Sequence, residues 1–104
     1  MYERSDGTWQ ISTKFPEWKH IEVSDIAEEQ MRTLNRECVF RLAQTLRQNS
    51  DPIGSNEHPW DGDTITLSIR IKEDSIVEQL REVVSDADHS ADQEAKHRII
   101  EYPL

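Results

Sequence analysis

From Thr64 to Ile71 apolar and polar residues alternate without interruption: Ile65, Leu67, Ile69 and Ile71 against Thr64, Thr66, Ser68 and Arg70. Successive side chains of an extended chain point to opposite faces, so this pattern predicts a strand with one aliphatic and one polar face. β-branched residues dominate it, as suits a half-buried pleated surface. Trp9, Ile11 and Thr13 against Gln10, Ser12 and Lys14 predict an earlier strand. Phe15-Pro16-Glu17 interrupts it, because proline lacks the amide that a ladder needs. Ile21 and Val23 extend the reading to a further strand over 18–23, in a hairpin with the first.

The period then changes. Ala27, Met31, Leu34, Cys38 and Leu42 form one stripe at helical spacing, widened by Val39 and Leu46. Asp25 and Glu28 stand at capping-box spacing, and Glu28–Arg32 and Glu37–Arg41 are acid-then-base pairs four residues apart. Together these predict one long helix over about 25–48, stopped by Asn49 and Pro52. Phe40 lies off the stripe, so either the helix is covered on two sides or an aromatic faces a partner. Residues 50–63 read as a long loop with Trp60 near its end, placed to plug the edge of the core or to grip a ligand.

Ser75 and Glu78 make a second capping box ahead of Ile76, Val77, Leu80, Val83 and Val84, predicting a helix over about 75–86. Ser90 and Gln93 have the spacing to cap a short third helix. Residues 98–102 fit either a last strand or the end of that helix, and the isoleucines and Tyr102 favour the strand. The sum is a single α+β domain over 1–104. Its sheet is antiparallel, or mixed if 98–102 joins through a right-handed crossover, and is centred on 64–71 under the two longer helices.

Composition narrows the function classes. The chain has 104 residues, 21 acidic against 12 basic, a formal net charge of −9 and a pI near 4.8. Such a charge repels nucleic acid and anionic membrane surfaces and attracts basic proteins; a halophilic source would also account for it. One cysteine, Cys38, excludes an internal disulfide. The first ten residues lack a basic head followed by an apolar run, and no segment has the length to span a bilayer, so a cytoplasmic location is expected.

Chemical motifs are sparse. His20, His58, His89 and His97 do not pair with one another or with Cys38 at zinc-site spacing, and Asp86, Asp88 and Asp92 do not follow the calcium-loop register. Cys38 lies in the apolar stripe, where a thiol behaves as a small hydrophobe. No nucleophile elbow or phosphate-cradling glycine loop is present. No catalytic residue, metal or cofactor is expected, and the chain reads as a non-enzyme.

Charge geometry remains. From Glu73 to Glu94 eight acids face one base, Arg81, and Glu78, Glu82 and Asp86 recur every four residues as a ridge. The expectation is a small interaction protein that binds, and can thereby inhibit, a protein partner with a basic surface. Glu78, Glu82 and Asp86 would steer it, with Phe40 or Trp60 as aromatic anchor. Immunity proteins and phage-encoded nuclease inhibitors share this size and charge, a likeness of class and not of motif. Two alternatives are an accessory subunit docking through the apolar face around Phe40, and an enzyme using His58 or His89. A homodimer through an open sheet edge is compatible with all three.

Overall fold

The computed structural model describes residues 1–104: β1 (Tyr2–Glu3), β2 (Trp9–Pro16), α1 (Glu17–Glu29), α2 (Leu34–Gln48), β3 (Thr64–Ile71), α3 (Asp74–Val84) and α4 (Ala91–Glu101). It is an α+β fold, with a three-stranded antiparallel sheet ordered β1-β2-β3. The alternation sets the register. Trp9, Ile11, Thr13 and Phe15 stand opposite Ile71, Ile69, Leu67 and Ile65 on one face. Gln10, Ser12, Lys14 and Pro16 stand opposite Arg70, Ser68, Thr66 and Thr64 on the other. Ile11, Phe15, Ile69 and Ile71 are at most 1 % exposed and join Leu42, Leu80, Cys38 and Ile99 in one core. No helix is long and apolar enough to cross a membrane.

The strand expected over 18–23 is instead the first half of α1, which begins directly after Pro16. Glu17, Lys19, Glu22, Ala27, Glu28 and Glu29 are strong helix formers. The face α1 buries is Lys19, Val23 and Ala27, four residues apart, leaving Trp18 and Ile21 about half exposed. The Ile21/Val23 alternation that suggested a strand therefore divides between the helix's outer and inner faces.

The helix expected over 25–48 is two helices. Met31 turns left-handed at φ 57°. Its amide donates to the Glu28 carbonyl and that of Arg32 to the Ala27 carbonyl, the two bonds of a Schellman stop. Thr33 then caps α2, its hydroxyl accepting from the Arg36 amide at 3.1 Å. Met31, assigned by spacing to the buried stripe, is 94 % exposed. The stripe carried across the break because it continued in phase by count alone.

Residues 98–102 are the end of α4 and not a strand, so there is no βαβ crossover. The expected Ser90 cap does form, accepting from the Gln93 amide at 3.2 Å. Nor is the strand over 64–71 the middle of the sheet; β2 lies between β1 and β3. Beyond the two residues paired with β1, the free side of β2 is met by α4, where Asp92 accepts from the Ser12 amide at 3.1 Å. On β3, Asn35 both donates to the Arg70 carbonyl (2.9 Å) and accepts from its amide (2.7 Å), occupying part of an edge that would otherwise invite another strand.

Candidate functional site

α3 buries Ile76, Val77, Leu80 and Val83, which turns its other face outward. Glu78 and Glu82 stand exposed there, as do Glu73, Asp74, Asp86 and Asp88. The helix stops at Val84, so Asp86 belongs to the following turn and not to the helix. The proposed Ser75 cap is absent: the N-cap is Glu73, and no side chain closes that end. None of the acids from Glu73 to Asp88 enters an ion pair. Arg81, the base among them, is drawn over the Trp9 ring at 4.1 Å. Glu82 and Asp86 both line a cleft of about 590 Å³ between α3 and the end of α2, where Leu46 and Val83 supply apolar surface and Arg47 a single base.

Phe40 lies elsewhere. It is half-buried, with the Arg32 guanidinium 4.2 Å above its ring and Tyr102 edge-on at 6.0 Å. It lines a cavity with Ile26 of α1, so the N-terminal helix covers part of the side left bare by the sequence pattern. Trp60 is also half-buried. It packs against the core, with His97 at 4.8 Å and His58 at 5.7 Å between ring centroids. Phe40 thus shares no cavity with the acidic cleft, and Trp60 faces α4 and its own loop.

The groups that sequence reasoning missed are buried charges. Glu94 and Arg98, both 0 % exposed, pair at 2.7 Å one turn apart on α4. Arg98 also donates to the carbonyls of Thr45 (2.8 Å) and Asp51 (2.9 Å), tying α4 to α2 and to the long loop. Glu94 accepts from the amides of Ile53 and Gly54 and contacts His89 Nε2 at 2.6 Å. Burial pushes its carboxyl up, but the His89, Ile53, Gly54 and Arg98 hydrogen bonds outweigh this and hold it below the usual range. A second cluster lies on α2: buried Glu37 receives Arg41 at 2.9 Å and Arg32 at 2.9 Å. The available signal was acid–base spacing of four residues beside Ala95, Ile99, Cys38 and Leu42, which marks positions that must turn toward a core.

His89 and His97 do not converge. His89 sits on Glu94, whereas His97 Nδ1 faces Glu101 at 3.4 Å, and no three His, Cys, Asp or Glu side chains are grouped to hold a metal ion. Burial pushes the Cys38 thiol up to about 12, with Arg41 opposing and Glu37 adding to the shift, so it is not a thiolate near neutral pH. The strongest exposed feature is therefore the unpaired acidic face of α3 with its adjoining cleft. Compared with family models, with curated proteins and with solved structures, the chain matches none.

Proposed function

We propose that the protein is a small interaction module that binds, and by covering it inhibits, a partner with a basic surface. The observation that supports this most is the diversion of Arg81 onto Trp9, which leaves Glu78, Glu82 and Asp86 outside any ion pair. Carboxylates held on a folded surface but unpaired raise the encounter rate with a basic partner, the more so at low ionic strength. The cleft beside Glu82 and Asp86 suits a lysine or arginine, whose aliphatic stem can lie on Leu46 and Val83 while its charge meets the carboxylates. Phe40 and Trp60 would add contact area only through their exposed halves.

The test is affinity capture followed by association kinetics of the captured basic protein against the native chain and the Glu78→Lys/Glu82→Lys variant. Both positions are exposed, so the variant should fold as the native chain does. Its association should be slower by about tenfold or more, with a flattened salt dependence; unchanged kinetics would refute the acidic face. An accessory subunit docking through an apolar helix face is the second reading, favoured by Trp18 and Ile21, one turn apart on α1 and 48 % and 53 % exposed. Such binding would survive high salt and fail in Trp18→Ala.

A further inference from the structure

The polar face of the sheet has its own cavity, away from the acidic helix. About 560 Å³ in volume, it is walled by Lys14, Thr64 and Thr66 of the strands, His58 of the long loop, and Gln93 and Lys96 of α4. In a chain with 21 acidic residues, none of the residues lining this cavity carries a carboxylate. Lys96 is 2 % exposed, yet it enters no ion pair. Its ammonium lies 5.7 Å from the centre of the Trp60 ring. A cation buried without a counter-charge is costly, and an anion entering the cavity would offset that cost.

A further group on the same wall is incomplete. The Gln93 side-chain oxygen is enclosed yet has no partner. A buried polar atom of this kind is the exception in folded proteins and calls for a partner such as a water, an ion or a ligand. Asp92, next to Gln93 on α4, is already engaged by the Met1 ammonium and the Ser12 amide. The chain's overall negative charge acts from outside and is screened over about 10 Å, whereas these cations line the cavity directly.

The geometry points to this cavity as a binding site for an organic phosphate, held by Lys96, Lys14 and His58 with the threonine hydroxyls. A phosphate presents three terminal oxygens and up to two charges, matching donors that approach from the strands, the loop and the helix; a carboxylate could meet only part of them. The volume lies within the range of small-molecule sites and leaves space beyond the phosphate for an organic body. The chemistry required is binding alone. Burial lowers the Lys96 ammonium from its ordinary value, and His58 is lowered by burial, then by the charges of Lys96 and His97; a bound dianion would raise both.

Amide chemical shifts followed by NMR during titration with inorganic phosphate, and separately with adenosine 5′-monophosphate, test the site. The expected result is saturable shifts confined to 12–14, 56–58, 64–66 and 93–96, with tighter binding of the nucleotide. Lys96→Met should weaken binding by about tenfold or more. Since it removes a buried unpaired cation, it should also melt no lower than the native chain, which verifies that it folds. If it fails to fold, Lys14→Gln and His58→Gln at exposed positions should each weaken binding several-fold. Shifts that never saturate, or that persist unchanged in these variants, would overturn the site. Saturable phosphate binding with no gain from the nucleotide would overturn the organic body.

Discussion

Arg98 gives the sharpest test of how the helices and the long loop are held together. Arg98→Met keeps most of the aliphatic volume and removes three hydrogen bonds, to Glu94 at 2.7 Å, Thr45 at 2.8 Å and Asp51 at 2.9 Å. The Thr45 carbonyl keeps the Asn49 amide at 3.0 Å, and Asp51 is exposed, so neither is orphaned. The main cost is the Glu94 carboxylate, 0 % exposed, left without its cation. Breaking one side of a buried pair costs about 3–5 kcal/mol, a large share of the roughly 5–15 kcal/mol that holds a domain together. For a chain of this size, 3 kcal/mol lowers Tm by about 12 °C or more.

Urea unfolding of the native chain, Arg98→Met, Glu94→Gln and the double variant would measure the cost and the coupling. The double variant should be more stable than the sum of the single losses, because it leaves no lone charge. The folded value of Glu94 lies below its unfolded one, about 4.3, so the interaction contributes fully above that pH and is lost as pH falls through the folded value. The penalty of Arg98→Met should accordingly shrink below pH 4. A loss under about 1 kcal/mol at pH 7, or one that does not change with pH, would refute the reasoning.

Two further substitutions probe backbone features. A Cβ at Gly54 would lie 2.9 Å from Glu94 Cα and 2.9 Å from His89 Nε2, so Gly54→Ala must displace the loop from α4 and should cost about 1–3 kcal/mol in chemical denaturation; a neutral result would mean that the loop is not anchored there. Met31 holds φ 57° with its side chain 94 % exposed, so Met31→Gly relieves left-handed strain without losing packing. It should raise stability by up to about 1 kcal/mol, and a lower melting temperature would contradict the Schellman stop.

Alternation by itself determined β3 and most of β2, because a period of two admits only one face for Ile65 to Ile71 and for Trp9, Ile11 and Thr13, although β2 runs on through Phe15 and Pro16. Helical spacing and the Ser90 cap likewise determined α3 to within two residues at each end and the start of α4. Such signals are local, and their physics is complete within a few residues. The exposed acids of α3 were legible for the same reason, since a buried apolar face leaves the opposite one to solvent.

What the chain could not show locally, tertiary contact decided. The break at Met31 has neither glycine nor proline to mark it, and α1 packs against α2 across a bend that the stripe alone would have run straight through. The end of α4 is helical although Ile99, Ile100 and Tyr102 suit a strand, because Arg98 and Ile99 are buried against α2 and the core. Glu37–Arg41, read from its spacing as a pair supporting one helix, is buried and also receives Arg32. The polar cavity joins residues from 12 to 96 in the chain, which no window of sequence brings together. Burial and charge pairing depend on which surfaces meet, and that is settled only when the helices close over the sheet.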